Sequence, residues 1–449
     1  MSALATLAAA LIATQAAQAP PQPTGAAIPQ QRAAVERSER IMAEAQRRPG
    51  LLAQYLYMRD AYTGSTAVPF RLIFNQYLSW FQTWVGDYAD ARTTFTIAQT
   101  AQKGDSPSPL DGGYAATPAV EAITELARDR QAVFFNENHS NALTRTLTVQ
   151  MLARLRALGF DHFAAETLYS TDKKLGERGY PTSASGFYTE EPVYAEMVRT
   201  ALKLGYTVVA YEAESDAIAD AREREQARNL IRRVLDKNPH ARLVVNAGYA
   251  HIQEAGRYFD GKAMAQHFAQ LSGIDPLTIE QTFMTPHAVA RDDHPVYAAV
   301  IGRTHTDRPV VFRNAAGAAW SLRAEAYDVS VFFPQEAWRR GRPTWLALDG
   351  ERLPYPVTSA LCDNQYPCLV EARYANEPDE AIPADRVVFD PANDARNNRD
   401  RVRTSADAEP TAELYLRPDR YRISARSADN RVLGRRTAEV RTATAAKGS

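Results

Sequence analysis

Four short apolar segments alternate with longer stretches of helical pattern, and this alternation constrains the fold more than any other feature. The segments lie at 132–135, 162–165, 207–211 and 243–247. Strands joined by helical crossovers form parallel sheets that are covered on both faces. We therefore predict an α/β fold with a mainly parallel sheet, and we expect the later segments at 277–284, 296–302, 310–312, 329–333 and 345–348 to add strands.

The regions on either side of this alternation have different patterns. Residues 32–102 are helical in pattern, and 77–98 read as a helical hairpin with Gly86 at its turn. Short strands and turns dominate after about residue 308. The predicted division is a signal peptide at 1–19, a Pro-rich linker and helical region at 20–117, the α/β core at 118–349 and a small β-rich module at 350–449.

The N-terminal run predicts an exported protein, in the periplasm or outside the cell, with a short hydrophobic helix as the alternative. Residues 3–17 form an uncharged run rich in Ala and Leu, and the Ala-Gln-Ala of 17–19 before Pro20 fits a cleavage site. The two cysteines, Cys362 and Cys368, have a spacing that predicts a small disulfide-closed loop in such a compartment. Free thiols or half of a metal site are the alternatives for the two cysteines.

The charge balance bears on the choice of partner. The chain has 52 basic and 53 acidic side chains and a formal net charge of -1. Such a balance gives no reason to expect nucleic acid or an anionic membrane. After the N-terminal run, no stretch approaches the roughly 20 apolar residues that a transmembrane helix needs.

An ionisable side chain follows each of the four segments. Glu137 and His139 follow the first, Glu166 the second, Glu212 the third and His251 the fourth. The carboxyl ends of parallel strands share one edge of the sheet, where ligands bind. A carboxylate and an imidazole placed there suit acid–base chemistry or metal ligation, whereas a cluster that only caps helices and turns is the structural alternative.

Two further patterns lie close to this edge. Gly248 permits a sharp turn or a close approach of the backbone just before His251. Between the third and fourth segments, Arg222, Gln226 and Asn229 fall on one face of a predicted helix. A solvated, charged surface helix is the alternative interpretation of this run.

The ordered set of motifs resembles a known superfamily. The motifs are Asn-Glu-Asn-His at 136–139, Glu166, Arg-Glu-Arg-Glu-Gln-Ala-Arg-Asn at 222–229 and Gly-Tyr-Ala-His at 248–251. They are similar to those of the superfamily that contains erythromycin esterases, TIKI/TraB-type proteases and ChaN haem-binding proteins, over roughly 118–290. This chain has Asn136 where the family usually has Gly, and Gln226 where it usually has Met. The resemblance implies these site residues: Glu137, His139, Glu166, Arg222 and His251.

The leading hypothesis is a hydrolase that acts on an ester or on an amide or peptide bond. His139 or His251 would be the general base on water, oriented by Glu137 or Glu166, while Arg222 stabilises negative charge. In a variant of this hypothesis, a divalent metal is held by His139, Glu166 and His251.

The sequence also predicts substrate contacts and allows two functions without catalysis. We expect a small-molecule or peptide substrate. The loop at 170–190, with Tyr180, Phe187 and Tyr188, would form a lid that recognises an apolar substrate, with Glu212 as a further contact. A packed connecting loop is the alternative. Haem binding without catalysis is one alternative, with Tyr169, Tyr180, Tyr188 or a site histidine as axial ligand. A non-catalytic interaction scaffold is the other.

Overall fold

The computed structural model describes residues 27–396 and 410–442. The predicted signal peptide at 1–19 lies outside the described residues, as does most of the polar segment at 390–410. Within the described ranges, no helix combines the length and the apolar character that crossing a membrane requires.

Among the residues that the structure describes, four α-helices precede the sheet. They are α1 (Ala27–Gln46), α2 (Leu51–Thr63), α3 (Val68–Trp84) and α4 (Tyr88–Thr94). From residue 76 to residue 84 every side chain of α3 is buried, so this helix is a core element of the region. The predicted hairpin is present, and Gly86 takes a φ of 76° at its turn, a conformation that favours glycine.

An eight-stranded sheet forms the centre of the molecule. Its strands are β1 (Ala115–Pro118), β2 (Ala132–Glu137), β3 (His162–Ala165), β4 (Thr207–Ala210), β5 (Leu243–Gly248), β6 (Leu277–Glu280), β7 (Val310–Arg313) and β8 (Val329–Phe332). The order is β1-β7-β8-β6-β2-β5-β3-β4. Neighbours from β8 to β4 pair in parallel, whereas β7 and β1 are antiparallel at one edge. The predicted mainly parallel α/β sheet is confirmed.

Helices cover both faces of this sheet. They are α5 (Ala119–Leu126), α6 (Leu143–Ala157), α7 (Leu175–Arg178), α8 (Pro192–Lys203), α9 (Ala219–Leu230), α10 (Met264–Ser272) and α11 (Pro295–Ile301). Successive side chains of a strand point to opposite faces. Accordingly, Val133 and Phe135 of β2 join the core with α6, α8 and the N-terminal helices, while Phe134 joins the core with α9, α10 and α11. Burial on both faces explains why these strands are continuously apolar.

Two of the predicted strands are wrong. Residues 296–301 belong to α11, with Gly302 as its C-cap, because Pro295 presets the first helical position and the His294 ring accepts the Val296 N–H. Residues 345–348 overlap a short 3-10 turn at Thr344–Ala347. The strand predicted at 277–284 ends at Glu280, whose carboxylate accepts the backbone N–H groups of the next turn.

A small antiparallel module follows the core, as predicted. Two short strands come first, β9 (Trp338–Arg339) and β10 (Arg342–Pro343). The main strands are β11 (Leu353–Thr358), β12 (Cys368–Tyr374), β13 (Asp385–Phe389), β14 (Thr411–Leu416), β15 (Asp419–Arg426) and β16 (Val432–Val440). Helix α12 (Pro391–Arg396) lies between β13 and β14. A disulfide joins Cys362 to Cys368. Buried ion pairs fix the module to the rest of the chain: Arg199 of α8 binds Glu377 at 2.7 Å.

Candidate active site

Three of the predicted side chains meet at the carboxyl edge of the sheet. Glu166 follows β3 directly, His139 lies two residues after β2, and His251 lies in the turn after β5. The Nε2 atom of His139 is 3.8 Å from one Glu166 oxygen, and the Nε2 atom of His251 is 3.5 Å from the other. All three residues are at most 5% exposed. The convergence that the strand ends predict is therefore present.

Each histidine is paired with a second carboxylate through its other nitrogen. Glu137 lies 3.0 Å from Nδ1 of His139, and Glu223 lies 2.7 Å from Nδ1 of His251. Such a contact fixes the ring orientation and stabilises the imidazolium. The arrangement is thus two Glu–His pairs on either side of Glu166.

Sequence reasoning missed Glu223 as a site residue. It lies next to Arg222 on α9 and is 1% exposed. Its signal was its place in the arginine motif, where an acidic residue follows the arginine. A charge pattern on a helix does not show which acid faces the sheet, so Glu223 could not be separated from Glu225.

Arg145 is a second residue that was missed. It lies in the first turn of α6, is fully buried, and donates two hydrogen bonds of 2.9 Å to Glu137. A third hydrogen bond, also 2.9 Å, reaches Glu191. Burial alone would raise the pKa of Glu137, but Arg145 and His139 outweigh it and lower that pKa to about 2. Glu137 is therefore a fixed carboxylate behind His139.

Arg222 lies among carboxylates rather than in an open position. Its guanidinium donates to both oxygens of Glu212, at 3.0 and 2.7 Å, and to Glu166 at 3.3 Å. Gln226, on the same helix face, donates to Glu212 as well. The predicted helix face is thus turned toward the site, and Arg222 joins Glu212 to Glu166. Glu214, in contrast, pairs with Arg233 at the surface.

The charges around Glu166 and His251 set their protonation states. Burial alone would raise the pKa of Glu166, but His251, His139, Arg222 and the Gly248 N–H together lower it. Burial alone would lower the pKa of His251, but the carboxylates of Glu223 and Glu166 hold it above its ordinary value. Glu166 is therefore ionised near neutral pH, and His251 retains its proton to a higher pH than a free histidine.

Gly248 is required for space rather than for its backbone conformation. A Cβ atom at this position would overlap the His139 ring and lie 3.0 Å from a Glu166 oxygen. The group that comes close to Gly248 is the His139 ring, whereas the sequence predicted a sharp turn or the approach of another backbone. Only glycine leaves room for the imidazole over the end of β5.

Asn136, in β2, holds the segment after β5. Its side-chain amide donates to the carbonyl of Tyr249 at 2.8 Å and to Glu280 at 3.2 Å. Tyr249 takes a φ of 44°, an unusual conformation for a residue with a side chain. Its ring lies edge-on to the His139 ring, with centroids 5.0 Å apart. Asn136 therefore supports the wall of the site.

Tyr188 is the predicted substrate residue that reaches the histidines. Its ring stacks on His139 with centroids 4.1 Å apart. Its hydroxyl is buried and has no hydrogen-bond partner among the described residues. Burial raises the pKa of this hydroxyl well above its usual value, with the Glu166 charge adding to the effect, so the group stays a donor. Tyr180, in contrast, packs its ring against the Arg178 guanidinium, and its role stays a prediction.

Helix α3 covers this edge of the sheet. The Ser79 hydroxyl donates to Ser140, the neighbour of His139, at 2.8 Å. The Trp80 ring packs edge-on against Tyr188 with centroids 6.1 Å apart. The helical N-terminal region therefore forms part of the enclosure around His139.

The predicted metal ligands lie close together without the geometry of a metal site. Within residues 27–396 and 410–442, no group of three or more His, Cys, Asp or Glu side chains is arranged to hold a metal ion. Arg222 also places a positive charge 3.3 Å from Glu166. Because His139, Glu166 and His251 do not form a fitting donor set in this arrangement, no catalytic step is assigned to a metal. Metal ligation and haem ligation stay predictions.

Comparisons with known proteins give weak structural likenesses. No family model and no curated protein matches the chain. Among solved structures, it is similar to the type III effector HopBA1, with 15% identity, a TM-score of 0.28, and coverage of 40% of this chain and 94% of that chain. It is similar to RRSP, a MARTX toxin effector domain from Vibrio vulnificus CMCP6, with 14% identity, a TM-score of 0.29, and coverage of 50% of both chains.

A third solved structure is a mutant of erythromycin esterase EreC in its open conformation. The identity is 13% and the TM-score 0.19, over 67% of this chain and 86% of that chain. Likenesses of this strength carry no argument about function.

Proposed function

We propose that the protein is a hydrolase that cleaves an ester or an amide bond by acid–base catalysis between His139 and His251. The observation that carries this proposal is the pair of Nε2 atoms that face the same Glu166 carboxylate. The Nδ1 atom of each histidine contacts a second buried carboxylate. Two imidazoles with different electrostatic surroundings suit the separate tasks of base and acid.

The raised pKa of His251 decides which histidine is the acid, and His139 takes the other role. His139 is the general base: Nε2 takes a proton from water, whose oxygen attacks the carbonyl carbon. His251 begins protonated, since Glu223 and Glu166 hold its pKa above the ordinary value. It stabilises the alkoxide of the tetrahedral intermediate and then gives its Nε2 proton to the leaving oxygen or nitrogen as the bond to carbon breaks. Solvent returns the proton from His139 to His251.

The other side chains of the site position the two histidines, the water and the substrate. Glu166 orients the water and supports the charge on His251. Glu137 holds His139 through Nδ1 and is itself fixed by Arg145. Arg222 keeps Glu166 and Glu212 in place, which is a positioning role rather than the oxyanion role expected from the sequence. The Tyr188 hydroxyl is the donor available for a substrate oxygen.

We also propose that the enzyme acts in the periplasm or outside the cell. Residues 3–17 have the composition of a signal-peptide core. The bond between Cys362 and Cys368 suits an oxidising compartment. The substrate is then a small molecule or peptide that reaches that compartment.

The test of this function is a screen of ester and peptide substrates with wild type, His251→Gln and His267→Gln. His267 lies on α10 and pairs with Asp220, so its variant is a matched control. Hydrolysis by wild type should fall about 100-fold in His251→Gln, since a general acid contributes at least this factor. The control should retain wild-type rates. Equal rates in all three proteins would refute the assignment, and metal analysis of the same preparations tests the metal variant.

The pH dependence should report the proton on His251. Its folded pKa is raised, so its acid function is present at low pH and is lost as the pH rises through that raised value. Replacing Glu223 by Gln removes the largest charge that raises this pKa, so the alkaline limb of kcat/KM should move to lower pH. Glu225→Gln, at a partly exposed position on the same helix, is the control. An alkaline limb that stays in place in Glu223→Gln would contradict the role of His251.

A further inference from the structure

A cavity of 330 Å³ opens at the carboxyl edge of the sheet, beside the two Glu–His pairs. Its walls come from the segments that follow β2, β5 and β6, together with residues 97–103 of the N-terminal region and a segment just before β8. Its volume lies in the lower range of small-molecule sites, roughly 300–1,000 Å³.

The charged side chains that line this cavity are all basic. Three basic side chains line it, Lys103, Arg257 and Arg323, and the described lining contains no carboxylate. Five aromatic rings complete most of the wall: Tyr249, Tyr258, Phe259, Phe283 and Tyr327. Aromatic walls with a few cations favour a flat apolar group that carries negative charge.

The three cations are available to different degrees. Arg323 is held by Asp105 at 3.0 Å and lies over the Phe283 ring, so it is a fixed part of the wall. Arg257 is exposed and pairs with Asp260 at 3.0 Å. An ion pair at the surface competes only weakly with a bound anion. Lys103 is an exposed side chain at the rim of the cavity. Lys103 and Arg257 are therefore the cations that a ligand can recruit.

Two of the aromatic walls connect the cavity to the histidines. Tyr249 contacts His139 edge-on and donates its hydroxyl to Asn138 at 3.0 Å. Tyr258 lies edge-on to His251 with centroids 5.4 Å apart. A ligand in the cavity would therefore lie against the side chains that pack on both histidines.

A second, smaller cavity differs from the first because carboxylates line it. Its volume is 140 Å³, and Glu212 and Glu214 line it together with Arg233. Glu212 is paired with Arg222 and Glu214 with Arg233, so Arg233, the cation in this lining, is already bound to a carboxylate and does not favour an anionic group there. The contrast assigns the negative end of a substrate to the larger cavity.

We propose that the larger cavity binds the part of the substrate that carries an aromatic ring with an anionic substituent. This rests on the proposed hydrolase function, because the cavity adjoins the site where the bond would be cleaved. The ring packs among Tyr258, Phe283 and Tyr327, and the anion lies toward Lys103 and Arg257. The preferred substrates are therefore esters or amides with an anionic arene on one side of the cleaved bond.

Binding is tested by calorimetric titration of the full chain with naphthalene-2-carboxylate and its neutral analogue, naphthalene-2-carboxamide. The carboxylate should bind about tenfold more tightly, because two exposed cations each contribute a modest, salt-screened attraction. The Lys103→Met/Arg257→Met double variant should lose this preference and retain binding of the carboxamide. Arg128→Met removes an exposed charge at the opposite edge of the sheet and should behave as wild type.

The outcomes separate this inference from the proposed function. Equal binding of carboxylate and carboxamide, or a preference that survives in the double variant, would overturn the anion-binding role of the cavity. Selective binding of the carboxylate by a protein that hydrolyses none of the screened esters and peptides would support the cavity and contradict the hydrolase. Phosphonate and sulfonate analogues then show which anion the two cations favour.

Discussion

Glu166→Gln is expected to lower kcat/KM by on the order of 10³-fold, within the range that acid–base groups contribute. The amide is nearly isosteric with the carboxylate, but it carries no charge. His251 would lose one of the two charges that raise its pKa, and water would lose the acceptor that orients it beside His139. Steady-state kinetics on the best substrate of the screen measures the effect.

Glu177→Gln is the matched control for this variant, since Glu177 is an exposed acid on α7. Circular dichroism of both variants establishes that they are folded. Arg222 retains Glu212 as its bidentate partner in Glu166→Gln, which favours a folded protein. A folded Glu166→Gln enzyme with wild-type kinetics would contradict the central place given to this carboxylate.

Arg145→Met should have the largest effect on stability. The substitution leaves Glu137 and Glu191 buried without their shared cation. Removing one partner of a buried ion pair costs about 3–5 kcal/mol in the free energy of unfolding. Urea unfolding at pH 7 measures this loss, and Arg154→Met, an exposed position on the same helix, should change the free energy by less than about 0.5 kcal/mol.

The stability cost of Arg145→Met should also depend on pH. The pKa of Glu137 is lowered to about 2 in the wild type, so its stabilising contribution is present above pH 4.5 and is lost as the pH falls through 2. Without Arg145, burial favours the protonated form of Glu137. Lowering the pH therefore reduces the destabilisation of the variant. The difference between wild type and variant should therefore shrink between pH 7 and pH 4.5. A difference that is constant over this range would mean that Arg145 acts through packing alone.

The sequence predicted the site to the extent that it depends on strand ends. Apolar segments buried on both faces are easily recognised, and the residues that follow them share one edge of the sheet. For this reason Glu137, His139, Glu166 and His251 could be placed together before their distances were known. The helix at 295–301 shows the limit: its Val, Tyr and Ile favour a strand, but Pro295 and His294 determine the outcome.

The residues that were missed act through contacts that depend on three-dimensional packing. Arg145 meets Glu137 only because α6 folds back along β2, and Glu223 meets His251 only because of the rotation of α9 about its axis. Neither spacing has a periodicity that indicates a partner. The enclosure by α3 had no signal either, because Ser79 and Ser140 lie 61 residues apart.

The enclosure by α3 means that the surroundings of His139 depend on two regions of the chain. Ser79 and Trp80 belong to the helical region, yet they contact Ser140 and Tyr188 beside the histidines. A related sheet that acquired a different N-terminal region would also acquire a different cover over His139. Recombination just before β1 would therefore alter the space around His139, even if every side chain on the sheet were inherited unchanged.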